Sequence, residues 1–152
     1  MRLVLQRVRR AAVAVEGETI GSIGSGLLLF LGIEKGDGVE DVAWLCRKIP
    51  RLRLFEDDAG RMNRSLLESG GGVLLISQFT LCGSIRKGNR PSFNDAADPP
   101  EAIPLYERFQ KTLAEELGGP VAAGRFGAYM LIEAENDGPV TLFLDTRRKD
   151  FL

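Results

Sequence analysis

Leu27-Leu28-Leu29-Phe30-Leu31-Gly32-Ile33 carries no polar side chain. A run this short falls well below the ~20 residues of a membrane span and suits a β-strand covered on both faces. Val73-Leu74-Leu75-Ile76, entered through Gly70-Gly71-Gly72, has the same character. Around these two, Arg2 to Val8 reads as a first strand and Ala12 to Glu16 as a second, with Gly17 and Gly21 punctuating a hairpin through Ile23. Arg51 to Phe55 is a further strand candidate, followed by a turn at Glu56-Asp57-Asp58-Ala59-Gly60. Tyr129 to Glu135 and Val140 to Leu144 bracket Asn136-Asp137-Gly138-Pro139, whose turn residues predict a hairpin.

Two helices are expected. Val39, Val42, Leu45, Cys46 and Ile49 recur at helical spacing, with a cap at Asp37 or a nearby polar residue and a stop at Pro50. Asp98-Pro99-Pro100-Glu101 has the form of a capped helix start, and Leu105, Phe109, Leu113 and Leu117 mark an apolar face ended by Gly118-Gly119-Pro120. Pro104 conflicts with that start, because it removes a backbone bond one turn in. Residues 82–100 read as a long surface loop, of the kind that usually serves a function. Strands outnumber helices without βαβ alternation, so the expected fold is α+β, with helices packed on a largely antiparallel sheet.

A chain of 152 residues is about one domain's worth by the ~150-residue prior, so residues 1–152 are read as a single domain. The start, Met1-Arg2-Leu3-Val4-Leu5-Gln6-Arg7, meets charge too early for a secretory leader. Cys46 and Cys82 are too few for a disulfide framework or a cysteine zinc site. These features together predict a cytoplasmic protein with no membrane partner. Histidine is absent, which excludes Ser-His-Asp and Cys-His catalysis within one chain and the common imidazole-bound zinc sites. No metal and no organic cofactor is expected.

The net charge of −1 gives no global field for nucleic acid. Cations nonetheless cluster, at Arg2, Arg7, Arg9 and Arg10, at Arg86, Lys87 and Arg90, and at Arg147, Arg148 and Lys149. Such groups are ordinarily solvated edges, although guanidinium suits bidentate phosphate contact. Ser77-Gln78-Phe79-Thr80-Leu81 stands where a buried strand leaves the core, and its hydroxyls and amide suit substrate orientation and stabilisation of developing charge. The Gly138-Pro139 step draws attention because a cis bond would aim two carbonyls the same way. X-Pro bonds are cis in only ~5–6% of folded cases, so the residues alone favour trans.

Taken in order, Gln6-Arg7-Val8, Gly60-Arg61-Met62-Asn63, Ser77-Gln78-Phe79-Thr80-Leu81, Lys87-Gly88-Asn89-Arg90-Pro91-Ser92-Phe93, Gly124-Arg125-Phe126-Gly127-Ala128-Tyr129-Met130 and Gly138-Pro139-Val140-Thr141 resemble the D-aminoacyl-tRNA deacylases along almost the whole chain. The resemblance implies a barrel-like core and a cytoplasmic homodimer. It further implies hydrolysis of the ester joining a D-amino acid, or glycine misloaded on tRNA for alanine, to the terminal adenosine of tRNA. By the same resemblance Ser77, Gln78, Phe79 and Thr80 are the catalytic segment. Gly138 and Pro139, in cis and braced by Arg7, would reach into the partner subunit's pocket and exclude L side chains. Phe126 and Met130 become pocket-wall candidates, and Arg86, Lys87 and Arg90 candidates for tRNA phosphates. Thr80 is either a nucleophile or a bystander to attack assisted by the tRNA 2′-hydroxyl, and the second is favoured because no histidine base exists. The rivals are a Ser-Lys hydrolase using Ser84 with Lys87, for which spacing alone is poor evidence, and, closer to the resemblance, a paralogue acting on an L-aminoacyl ester and a noncatalytic tRNA-binding module. The latter usually displays stacking aromatics, whereas the aromatics of this chain are expected in the core.

Overall fold

A computed structural model describes residues 1–86 and 88–151, so Lys87 lies outside the described residues. The spine of the fold is β1 (Arg2–Val15). One edge of it pairs antiparallel with β8 (Leu131–Asp145) along nearly its full length. Its other edge is divided between β3 (Gly26–Gly32), which pairs with its first half, and β2 (Glu18–Ile23), which pairs with its second. Beyond β3 lie β6 (Gly72–Ser77) and the short β7 (Ala122–Ala123), both parallel to their neighbours. The sheet therefore curls into a nearly closed barrel. It is antiparallel around β1 and parallel at β3, β6 and β7. A small hairpin, β4 (Phe55–Glu56) with β5 (Met62–Arg64), stands apart.

Two strands expected between Arg2 and Glu16 are one. Leu3 and Leu5 belong to the core beneath the helices, whereas Val8, Ala11 and Val13 belong to a second core inside the barrel. The pairing with β8 shifts between Val8 and Arg10, leaving Arg9 as a bulge. An inserted residue reverses which face the later side chains occupy, so the alternation breaks although the strand continues. The hairpin expected at Asn136–Pro139 is absent for a related reason. Val8 pairs with Asn136 and Gln6 with Thr141, so residues 137–140 bulge from β8 opposite Arg7 alone. The strand expected at Arg51–Phe55 shrinks to Phe55 and Glu56, because Ile49–Arg51 forms a 3-10 turn.

Helix α1 (Val39–Lys48) buries Val42, Leu45 and Cys46, while Val39 faces solvent. Gly38 caps it and receives Asp41 in return. Asp37 does not cap; its carboxylate takes the Met1 amine at 2.7 Å and the Glu34 amide at 2.7 Å. The one-turn α2 (Leu66–Ser69) has a capping box between Ser65 and Glu68, a Ser-x-x-Glu signature in the sequence that the strand-centred reading passed over. Helix α3 (Pro99–Leu117) begins at the expected Asp98 and runs through Pro104. The Asp98 side chain makes no cap bond, and its carbonyl instead accepts from the amides of Glu101 and Ala102. Leu27, Leu29, Leu31, Val73 and Leu75 share one core with Val42 and Leu45 of α1 and Tyr106 and Phe109 of α3, and Leu28, Leu74 and Ile76 belong to the core inside the barrel. Both apolar runs are thus covered on both faces.

Candidate active site

Strand β6 ends at Ser77, beside Leu31 of β3, and the chain turns at once into a 3-10 turn over Phe79–Cys82. The turn is anchored from several sides. The Gln78 amide donates to the Leu31 carbonyl at 2.7 Å. Arg2 Nη1 donates to the Leu81 carbonyl at 2.8 Å, and Arg2 Nη2 pairs with Glu34 Oε1 at 2.9 Å. Glu34 is only 1% exposed and its other oxygen faces Arg147 Nη1 at 3.5 Å. An ion network around the buried Glu34 thus holds the carboxyl end of the turn, where the Leu81 carbonyl would otherwise lack a partner. At the amino end, no acceptor among the described residues takes the amides of Phe79 and Thr80.

Ser77, Gln78 and Phe79 line a cleft of about 260 Å³ together with Ile33, Phe126 and Met130. Phe126 packs edge-on against Tyr106 of α3 at 5.7 Å, and the Tyr106 hydroxyl donates to the Leu75 carbonyl at 3.0 Å. Burial pushes that phenol above its ordinary range. The Gly124 amide reaches the same carbonyl at 2.9 Å, so strand, helix and the loop carrying Phe126 and Met130 share one anchor. Tyr129 is the sole titratable side chain among the described residues of the lining. Thr80 lies outside the lining, and Gln78 Nε2 donates to its Oγ1 at 2.5 Å. Burial pushes the Cys82 thiol up to about 11 and the Cys46 thiol up to about 12, so both stay protonated at neutral pH.

Arg7, Gly138 and Pro139 lie elsewhere. The Gly138–Pro139 bond is cis, and both residues are exposed on the β8 bulge. Arg7 is buried beneath them, donating from Nε to the Asp137 carbonyl at 3.2 Å and from Nη1 to the Leu54 carbonyl at 2.5 Å, and pairing with the Asp137 carboxylate at 3.1 Å. Gly138 has φ +128°, and a Cβ there would stand 2.9 Å from Val140 Cγ2 and 3.1 Å from the Arg7 guanidinium, so a side chain is refused twice. Arg7 is level with Leu27 and Ser77 with Leu31, four positions along β3, and β8 and β6 are three strand spacings apart. At ~3.3 Å per residue and ~4.8 Å per strand, the bulge and the cleft of one chain are on the order of 15–20 Å apart.

Arg86 and Arg90 sit exposed on a hairpin closed by reciprocal bonds between Ser84 and Ser92, and Phe93 at its base packs edge-on against Phe79 at 5.1 Å. The sequence reading missed one feature of the cleft. Phe79 is 58% exposed and Tyr129 84% exposed, although aromatics were expected in the core. An aromatic flanked by Gly, Ala and Arg, as in Gly124 to Met130, was the available signal.

A family model described as D-Tyr-tRNA(Tyr) deacylase matches residues 4–145. Proteins called D-aminoacyl-tRNA deacylase are similar throughout. One from Bacteroides thetaiotaomicron is 54% identical, and one from Opitutus terrae 55% identical, each over 99% of this chain and 100% of its own length. Among solved structures, one described as c-Myc DNA Unwinding Element Binding Protein superposes with a TM-score of 0.88 at 40% identity, covering 96% of this chain and 99% of its own. Another, described as a probable eukaryotic D-amino acid tRNA deacylase, shares the fold at a TM-score of 0.79 and 18% identity, over 94% of this chain and 97% of its own. A family model spanning nearly the whole chain, and relatives more than half identical from end to end, agree with the order of motifs around the cleft: the chain belongs to the D-aminoacyl-tRNA deacylase family.

Proposed function

We propose that this protein hydrolyses the ester of D-aminoacyl-tRNA, and of glycine misloaded on tRNA for alanine, sparing L-aminoacyl esters. The observation that carries the reading is the pair of unengaged amides, that of Phe79 in the cleft lining and that of Thr80 next to it in the chain, beside a cleft whose described lining holds no carboxylate, amine or imidazole. Such a site is poor at activating a nucleophile by side-chain base. It is well suited to an already activated ester, for which positioning and oxyanion donors suffice. The carbonyl oxygen of the scissile ester takes the two amides as it becomes an oxyanion. Water attacks with help from the neighbouring ribose 2′-hydroxyl, and Gln78 orients the ribose. Thr80, outside the lining and held by Gln78, is not the nucleophile.

Gly138 and Pro139 act in trans. Their distance from the cleft of their own chain, their exposure and the Arg7 brace beneath them support delivery into the cleft of a second copy. There, backbone carbonyls receive the substrate ammonium and leave no space for an L side chain, a steric route to specificity. Glycine has no side chain to refuse. The homodimer that this requires draws support from β8, a long edge strand with Leu131 59% exposed and Phe143 54% exposed, a surface that favours association. Arg86, with Arg90, meets tRNA phosphates beside the cleft, and the protein works in the cytoplasm. No helix among the described residues is long and apolar enough to cross a membrane.

Deacylation of D-Tyr-tRNA, L-Tyr-tRNA and Gly-tRNA by the purified protein, with chelator present, tests the reading. Rapid loss of the D and glycyl esters with the L ester spared is expected. Binding of tRNA without acceleration of any ester would overturn it in favour of a noncatalytic module, and preferential loss of the L ester in favour of a paralogue.

A further inference from the structure

The terminal adenosine of the substrate remains joined through its 5′ phosphate to the next nucleotide, so whatever seats the ester in the cleft must place that nucleotide at the mouth. Tyr129 stands there. It lines the cleft, is 84% exposed, and has no hydrogen-bond or ring partner among the described residues. Its position is nevertheless built. Residues 125–128 close a turn through the Ala128 amide and the Arg125 carbonyl at 3.2 Å, with Gly127 at φ +75°, as a type II turn demands. The Gly124 amide ties the start of that turn to Leu75. Arg125, exposed on the same turn, has no ion-pair partner among the described residues. A free aromatic face and a free guanidinium four residues apart in one loop match the pattern by which single-stranded nucleic acid is held.

We propose that Tyr129 is the stacking platform for the base of the penultimate nucleotide, with Arg125 neutralising the phosphate that links it to the terminal adenosine. This rests on the reading that the Ser77–Phe79 cleft holds the esterified adenosine. The platform explains how a cleft blind to the amino-acid side chain gains affinity for tRNA: stacking accepts any base and adds binding outside the reacting centre.

The test uses two non-hydrolysable ligands, D-tyrosyl-adenosine linked by a 3′ amide and the same ligand extended on its 5′ side by a cytidylate. Dissociation constants are measured for the full-length protein, Tyr129→Phe and Tyr129→Ala, so that the ratio of the two constants cancels any inactive fraction. The extension is expected to tighten binding about tenfold in the parent protein and in Tyr129→Phe, and in Tyr129→Ala to add only the smaller part that the Arg125 contact with the phosphate supplies. Equal binding of both ligands by the parent, or a gain that survives undiminished in Tyr129→Ala, overturns the platform while leaving the cleft reading intact. Failure of the adenosine ligand to bind the parent protein counts against the cleft reading and removes the platform with it. A change of oligomeric state in Tyr129→Ala assigns the ring to contact between two copies, which also overturns it.

Discussion

Arg7 and Glu34 are buried charged side chains, and each supports a segment that a substrate would meet. Arg7 fills the space under residues 137–140 and satisfies the carbonyls of Asp137 and Leu54. Glu34 sits between Arg2 and Arg147, and through Arg2 it reaches Leu81 at the end of the 79–82 turn. Of that network only Glu34 is buried: Arg2 is partly exposed and keeps Asp145 at 3.7 Å, and Arg147 is half exposed and keeps Asp37 at 3.4 Å. Glu34→Ala is expected to lower unfolding stability by about 1–2 kcal/mol, read from urea midpoints, and Glu34→Gln by less because it keeps an acceptor for Arg2. A midpoint unchanged in Glu34→Ala would mean that water already screens Arg2. In the sequence, Arg7 is one of four early arginines and Glu34 one acid among many. Nothing in residue type distinguishes a buried brace from a solvated edge, because the distinction lies in which strand passes overhead.

The loop from Gly124 to Met130 shows how closely an element and the site are coupled. A Cβ at Gly124 would stand 2.5 Å from Met130 Sδ and 3.2 Å from Ile76 Cδ1. Ile76 is buried in the barrel and has little freedom, so the flexible thioether of Met130, itself part of the cleft wall, must shift. Gly124→Ala should raise KM for a D-aminoacyl-tRNA about fivefold and leave kcat within about twofold, since it alters the wall rather than the reacting centre. A fall in kcat at unchanged KM would show instead that the loop positions the reacting groups. Among the elements, those with unbroken patterns were legible: β3 and β6 as apolar runs, α1 and α3 as helical stripes. Misread elements were those in which tertiary pairing changes the phase. In β1 the Arg9 bulge reverses the alternation, and in β8 turn-forming residues bulge from a strand that β1 keeps straight.

In the whole molecule the two motif segments lie on the order of 15–20 Å apart, which is why the proposed site needs two copies. A mixed assembly tests this directly. Gln78→Ala damages the cleft and Gly138→Ala the bulge, so homodimers of either have no intact site. Refolding the two chains together should restore about a quarter of parental activity, because half the dimers are then mixed and each mixed dimer holds one intact composite site. No recovery on mixing would place both segments in service of one chain. Composition and order of residues determined by themselves that histidine chemistry is excluded, that two short apolar strands form the centre of an α+β fold, and which segments deserved notice; these follow from side-chain type and short-range periodicity. Only the tertiary structure decided that Arg2 to Val15 is a single strand, that Gly138 and Pro139 lie far from Ser77, and that Tyr129 faces solvent at the cleft mouth. Those depend on which distant strands pair and in what register, and pairing energies are summed over the whole sheet rather than carried by any one stretch of chain.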